Sequence, residues 1–244
     1  MNYKKHDKKD VLVLERLFNR NHTCSICDYA FTTKKVKSRF IRPISHDTDF
    51  CSVYDSVETN PLLYYVSVCP NCGYSMTDEF TSYFPPGTIN AIRNKIQKHW
   101  QKKSYGEVRT VQTAINTYKL GIYSGLIKKE ASIVMSGMYL RLAWIYRTVE
   151  KNEIQELRFL KLAADQFERS YSNGDFAETS MSEIKLLYLI GELHTRLGNT
   201  RQAIRYFQLV LQHKDKDTQV RLVEKSRDRW YEIRTAQKQL HMQT

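Results

Sequence analysis

The chain has 244 residues, 41% hydrophobic and 26% charged, a balance typical of a globular protein rather than a disordered one. No apolar run reaches the roughly 18–20 residues that span a bilayer, and the charged start at 1–10 does not resemble a secretory signal, so we expect a cytoplasmic protein without a membrane partner. The 38 Lys and Arg residues exceed the 26 Asp and Glu residues, and the resulting charge of +12 favours an anionic partner, such as nucleic acid or an acidic protein surface.

The N-terminal third is predicted to be a charged tail followed by a cysteine-rich domain. Residues 1–20 form the tail, with a short helix at 11–18, and residues 21–84 form the domain. Its most specific pattern is two Cys-x-x-Cys pairs, Cys24/Cys27 and Cys69/Cys72. Each pair places two sulfurs on one side of a tight turn, and four thiolates together are typical of one structural Zn²⁺ ion. Four protein ligands would leave no position open for a catalytic water molecule.

The residues between the cysteine pairs are rich in β-formers and turn residues, as expected of a small zinc ribbon. We predict strands at 31–41 and 62–68, the second leading directly into Cys69. The sequence Pro85-Pro86-Gly87 interrupts regular structure and marks the predicted end of this domain.

The densest basic run of the chain follows the first cysteine pair. If it lies on a strand, Lys35, Lys37 and Arg39 point to one face and could contact the phosphates of a nucleic acid. The alternative is a solvated edge strand, on which lysine side chains discourage aggregation. The sequence favours this alternative without excluding the first.

The fifth cysteine, Cys51, is left over from the two pairs. It is either a small buried residue or an accessory thiol beside the metal, and the sequence does not decide between them. A redox role for the pairs themselves is not favoured, because thioredoxin-like pairs occur in a βαβ context that this chain lacks.

Beyond residue 85 the hydrophobic period changes to that of helices. We predict a connecting helix within 85–104 and a helical domain over 105–244. The predicted helices span 89–103, 107–128, 132–149, 153–171, 181–197, 200–212 and 218–240.

Part of this domain resembles a tetratricopeptide repeat (TPR), in which two antiparallel helices pack through small residues. The matching positions are Leu187, Ile190, Gly191, His194, Gly198, Asn199, Ala203, Phe207 and Val210. A looser version precedes it over 142–171, and 218–240 suits a terminal cap. The predicted fold is therefore mainly α, with TPR-like helical hairpins and a small N-terminal β-type zinc ribbon.

No catalytic motif is recognisable: the chain has no phosphate-binding glycine loop, no His-Glu-x-x-His and no nucleophile elbow. We therefore expect a non-enzymatic adaptor that binds a protein or peptide, without a small-molecule substrate. A nucleic-acid-associated protein is the second hypothesis, and a thiol redox sensor is the third.

Several motifs together are similar to those of the bacterial family DUF2225. They are Cys24-Ser25-Ile26-Cys27, Phe31 with Thr33-Lys34-Lys35-Val36-Lys37, Asp47-Thr48-Asp49-Phe50-Cys51, Asn60-Pro61-Leu62, and the run from Tyr64 to Tyr74. The resemblance implies a cysteine-rich region joined to TPR-like helices, and no activity. Ser25 and Asp28 depart from the commoner Pro and Gly of this pattern, and the motif around Cys51 implies a role for that residue.

Overall fold

The computed structural model describes the backbone of residues 13–242 and the side chains of residues 13–236. The described chain is mainly helical, with small antiparallel sheets. Its contacts divide it into two units. The cysteine unit contains the chain up to Glu130 together with Trp144–Glu153, and the helical unit contains Ala131–Ala143 and the chain from Ile154 onward. The structure changes from strands to helices near the predicted boundary at 85–87. The first two helices beyond it nevertheless belong to the cysteine unit, because most of their contacts are with that unit.

The strands of the cysteine unit form three antiparallel hairpins. Strands β1 (Leu17–Thr23) and β2 (Ala30–Val36) pair first, β3 (Pro43–His46) pairs with β4 (Ser52–Tyr54), and β5 (Ser67–Val68) pairs with β6 (Ser75–Met76). The helix predicted at 11–18 begins outside the described residues. Residues 13–16 are helical, but Leu17 and Phe18 belong to β1, because Leu17 pairs with Val36 and is buried there.

The prediction of a strand over 62–68 is wrong except at its end, where Ser67 and Val68 form β5. Pro61–Tyr64 instead forms a 3₁₀ turn, in which the Asn60 side chain accepts a hydrogen bond from the Leu62 N–H at 3.0 Å. Pro61 has a fixed φ suited to the first position of such a turn, and this local chemistry outweighs the β-forming side chains. The strand predicted at 31–41 also ends early, at Val36, and Ser38–Phe40 forms a second 3₁₀ turn.

Two whole helices of the cysteine unit follow its strands: α1 (Thr88–Lys95) and α2 (Val111–Lys128). Helix α2 is fastened to the segment that leads into the third hairpin and to the hairpin itself. The Tyr118 hydroxyl donates to the Leu62 carbonyl at 2.9 Å, and Ser124 Oγ accepts from the Ser75 N–H at 3.1 Å. The end of α2 is held by a fully buried ion pair between Lys128 and Glu130.

The remaining helices are α3 (Ser132–Ile145), α4 (Glu153–Asn173), α5 (Glu183–Arg196), α6 (Thr200–Gln212) and α7 (Val220–Met242). A π turn, Tyr146–Glu150, follows α3. Each of the seven predicted helices overlaps one of the seven named here, and that at 200–212 coincides with α6. No helix of the described chain combines the length and apolar character needed to cross a membrane.

Helix α5 is the centre of the helical unit. Gly198, with a φ of 73°, turns the chain from α5 into α6, and the two helices approach closely at Gly191. A Cβ atom on Gly191 would lie 2.8 Å from the Phe207 ring, so only glycine permits this contact. Phe207 also contacts the Tyr188 ring and therefore fills the space within this helix pair.

Candidate metal centre

Each Cys-x-x-Cys pair forms the turn of a hairpin, and the two turns have the same hydrogen-bond pattern. In the first, the Asp28 N–H donates to the Cys24 carbonyl at 2.9 Å and the Cys24 N–H donates to the Tyr29 carbonyl at 3.0 Å. In the second, the Gly73 N–H donates to the Cys69 carbonyl and the Cys69 N–H donates to the Tyr74 carbonyl, both at 2.9 Å. Asp28 (φ 55°) and Gly73 (φ 77°) both adopt the left-handed conformation. The usual glycine position of the first turn is thus occupied by a residue that tolerates this conformation less well.

The two turns bring the four predicted ligands together. Their Sγ atoms all lie within 4.8 Å of one another, with Cys24 and Cys72 3.5 Å apart and Cys27 and Cys69 3.7 Å apart. The structure describes all five cysteines, and none forms a disulfide. A tetrahedral ion with four sulfurs at about 2.3 Å requires sulfur–sulfur distances of about 3.8 Å. The four side chains therefore fit a metal ion without rearrangement of the backbone.

The thiol cluster favours ionisation of at least one sulfur. The hydrogen bond with Cys24 and then that with Cys72 lower the pKa of Cys69. Hydrogen bonds among the same sulfurs raise the pKa of the other two thiols. The pKa of Cys24 is raised mainly by its hydrogen bond with Cys69, and the pKa of Cys72 is raised mainly by its hydrogen bond with Cys24. Thiolates are the metal-binding form of cysteine, so the cluster is chemically suited to a cation.

Neighbouring side chains hold both turns in position. The Asn71 Nδ2 group donates to Cys27 Sγ at 3.5 Å, which links the second turn to a sulfur of the first. Arg93, on α1, donates to the Ile26 carbonyl at 3.3 Å, and Trp100 Nε1 donates to the Pro70 carbonyl at 3.0 Å. Such contacts around the ligands orient them and tune their affinity for a metal.

Apolar side chains cover the sulfurs. Buried residues from both hairpins, from α1 and from the residue that follows it pack around them: Ile26, Phe31, Tyr74, Ile92 and Ile96. Cys24, Cys69 and Cys72 have no exposed surface, and Cys27 is half-buried. A metal ion held by these four sulfurs would therefore lie beneath an apolar cover, with only Cys27 partly exposed.

The structure does not place the three basic residues on one strand as predicted. Strand β2 ends at Val36, so Lys37 and Arg39 lie beyond it. Lys35 is largely buried, and its ammonium group lies 3.4 Å from the Tyr65 carbonyl and 3.8 Å from Asp78. Desolvation lowers its pKa. Lys37 donates to the Glu15 carbonyl at 2.7 Å, so two of these cations are engaged within the protein.

Cys51 lies apart from the four-cysteine group, in the turn between β3 and β4, and is fully buried. Its backbone N–H donates to Asp49 Oδ1 at 3.3 Å, and the preceding Phe50 has a φ of 68°. The Asp49 carboxylate has no exposed surface and accepts two hydrogen bonds from Arg147, at 3.0 and 2.8 Å, and one from Trp144 Nε1 at 3.1 Å. Sequence reasoning missed this cluster because its partners are almost 100 positions apart.

Comparisons with known proteins agree with the resemblance seen in the motifs. No curated protein and no solved structure matches the chain. Residues 17–233 match the profile of the family described as "Uncharacterized protein conserved in bacteria (DUF2225)". Because this match covers most of the chain, the protein belongs to the DUF2225 family.

Proposed function

We propose that this protein is a non-enzymatic, zinc-binding adaptor of the bacterial cytoplasm, and that its TPR-like helices bind another protein. The contact between Gly191 and Phe207 carries the proposal, because a small residue facing an aromatic one joins the two helices of a TPR hairpin. The neighbouring motif positions are also buried, among them Leu187, Ile190, Ala203 and Val210.

Zinc is the ion proposed for the four cysteines. Four thiolates in tetrahedral reach are typical of structural Zn²⁺ in a reducing compartment, where disulfides do not persist. The ion would be held by Cys24, Cys27, Cys69 and Cys72, and would cross-link the first and third hairpins. Its role would be to stabilise the zinc ribbon, since the filled ligand set provides no site for catalysis.

The position of α5 indicates which surface remains for a partner. Within α5 only Lys185 is exposed, and the fully buried Glu192 side chain pairs with Arg229 of α7 at 2.8 Å, so α5 offers little surface to a partner. Helix α4 instead presents exposed apolar side chains. There Ile154 and Leu157 are exposed beside Arg158 and Lys161, at helical spacing.

This α4 surface, defined by Ile154, Leu157, Arg158 and Lys161, suits a protein segment with an apolar anchor and flanking acidic residues. The apolar pair supplies contact area, and the cations favour approach of the opposite charge. Ile154 has 79% of its surface exposed and Leu157 has 38%, so the two form an adjacent apolar pair at the surface of α4.

An affinity pull-down from nuclease-treated lysate tests the proposal. We expect a specific partner protein to be retained by the wild-type chain and lost by the Ile154→Asp/Leu157→Asp variant. The variant Lys35→Ala/Lys37→Ala/Arg39→Ala is the control and should retain the partner. If a partner is retained from untreated lysate but not from nuclease-treated lysate, or if only the basic variant loses it, the nucleic-acid hypothesis replaces the adaptor.

A further inference from the structure

The ends of the first two hairpins enclose a cleft of about 330 Å³ that the adaptor function does not use. We call it the arginine cleft. Its lining residues are Arg16, Phe40, Arg42, Tyr54, Asp55, Ser56 and Thr59. All of them belong to the cysteine unit, and none is a metal ligand.

Strand register explains how residues from three segments meet at this cleft. The Lys37 N–H donates to the Arg16 carbonyl at 2.9 Å and extends the pairing of β1 with β2, which brings Arg16 beside the segment that contains Phe40. Pairing of Pro43 with Tyr54 places Arg42, the preceding residue, next to the end of β4. The cleft is thus a consequence of two hairpin registers, not of one flexible loop.

The cleft carries an excess of positive charge. Arg16 and Arg42 line it, and Arg39 lies beside it. Within the described residues, none of these three guanidinium groups forms an ion pair with a carboxylate. Among the lining residues that the structure describes, Asp55 is the one with an acidic side chain, so the cations outnumber the acidic groups there.

The Phe40 ring positions two of these cations. The guanidinium carbon of Arg39 lies 4.8 Å from the ring centroid, and that of Arg16 lies 5.8 Å from it. Contact with an aromatic ring restrains a guanidinium group while leaving its N–H donors available to an anion. Planar, fork-shaped donors of this kind are suited to phosphate oxygens.

The size and the wall residues of the cleft indicate a ligand larger than a phosphate ion. Pockets for small organic ligands begin at about 300 Å³, whereas inorganic phosphate needs far less space. Phe40 and Tyr54 provide aromatic surface, and Ser56 and Thr59 provide hydroxyl groups. We propose that the arginine cleft binds a nucleotide, either as a free molecule or as one unit of a single-stranded nucleic acid. Arg16 and Arg42 contact its phosphate, and the aromatic walls contact its base.

Calorimetric titration of the full-length, zinc-loaded chain at low ionic strength tests this proposal. The probes are AMP, adenosine, inorganic phosphate and a short oligoadenylate. We expect AMP to bind more tightly than adenosine or phosphate, and Arg16→Ala/Arg42→Ala to weaken AMP binding about tenfold or more. The control Arg221→Ala/Arg227→Ala removes the same charge from exposed positions of α7 and should leave the dissociation constant unchanged within about twofold.

The oligoadenylate distinguishes the two sources of the ligand. Tighter binding than AMP, through the same two arginines, identifies single-stranded nucleic acid, and equal binding identifies a free nucleotide. The proposal is wrong if neither probe binds, if phosphate binds as tightly as AMP, or if both double variants weaken binding equally. The melting temperature and zinc content of each variant establish that it is folded, and Arg16→Lys/Arg42→Lys, which keeps the charge, should weaken binding less than the alanine variant.

Discussion

Trp100 lies so close to Gly73 that a side chain at position 73 would overlap its ring. A Cβ atom built on Gly73 falls 2.4 Å from two carbon atoms of the indole, and the indole N–H donates to the Pro70 carbonyl of the same turn. Gly73 is therefore required both for its left-handed backbone and for the packing of Trp100 over the second turn.

The two turns should respond in opposite ways to substitution. We expect Gly73→Ala to lower the free energy of unfolding by about 2 kcal/mol or more, because it adds an overlap with Trp100 to the left-handed strain of about 1–2 kcal/mol. Asp28→Gly removes strain of the same kind and should raise the free energy of unfolding by up to about 1 kcal/mol. Urea unfolding of the zinc-loaded protein measures both. Equal effects of the same sign would contradict the assignment of Asp28 and Gly73 to equivalent positions.

The hydrogen bond from Asn71 to the Cys27 sulfur should contribute to metal affinity. Removal of a contact to a ligand typically weakens metal binding about 10- to 100-fold, and we expect Asn71→Leu to fall near the lower limit, since the 3.5 Å contact is one of several. Competition with a chromophoric chelator measures the affinity. Asn21→Leu, an exposed asparagine of β1, is the control and should not change it. An unchanged metal affinity in Asn71→Leu would show that this hydrogen bond does not contribute to metal binding.

The ion pair between Asp49 and Arg147 should be important for stability, because Asp49 is fully buried. Arg147→Ala leaves that carboxylate without its cation and should lower the free energy of unfolding by about 3–5 kcal/mol. Arg147→Lys keeps the charge but loses the two-pronged geometry, so its effect should be smaller. Arg158→Ala, an exposed arginine of α4, should have an effect within about 0.5 kcal/mol. Thermal unfolding distinguishes these outcomes, and similar losses for Arg147→Ala and Arg158→Ala would contradict the role of the pair.

A pH-dependent contribution is expected from Glu168 in the helical unit. Its carboxylate contacts His194 Nε2 at 2.9 Å and accepts from the Tyr206 hydroxyl at 3.0 Å, and its pKa is lowered, mainly by the hydrogen bond with His194. A carboxyl group whose pKa is lower in the folded state stabilises that state above its unfolded pKa, near 4.3, and this contribution is lost as the pH falls through the folded pKa.

The comparison of wild type with Glu168→Gln measures this contribution. We expect the wild-type protein to be more stable at pH 7, and the difference in melting temperature to shrink as the pH falls below about 4. Effects of acid on the cysteines are the same in both proteins and cancel in the difference. A difference that is constant with pH would show that Glu168 acts through packing and not through its charge.

Local spacing in the sequence predicted the parts of the fold that depend on neighbours along the chain. The two Cys-x-x-Cys turns form as expected, and helix α6 has its predicted ends, because turn chemistry and helical periodicity are both short-range properties. The prediction failed where two local preferences compete: at 62–68, Pro61 and the Asn60 cap outweigh the β-forming residues.

The contacts that could not be predicted join residues distant in sequence. Asp49 and Arg147 are almost 100 positions apart, and Trp100 follows Gly73 only after an intervening helix. The prediction that Lys35, Lys37 and Arg39 lie on one face of a strand was wrong for a different reason. It assumes a strand that continues past Val36, whereas the strand ends there and the following residues form a wall of the arginine cleft.

The metal content of the purified chain tests whether the four cysteines hold zinc. We expect about one zinc ion per chain by elemental analysis, lost in Cys24→Ser/Cys72→Ser and retained in Cys51→Ala, since Cys51 lies outside the four-cysteine group. Removal of the ion with a chelator should unfold the cysteine unit, and added zinc should restore it. Zinc that persists in the Cys24→Ser/Cys72→Ser variant, or a wild-type chain that folds without any metal, would show that the four cysteines are not a structural zinc site.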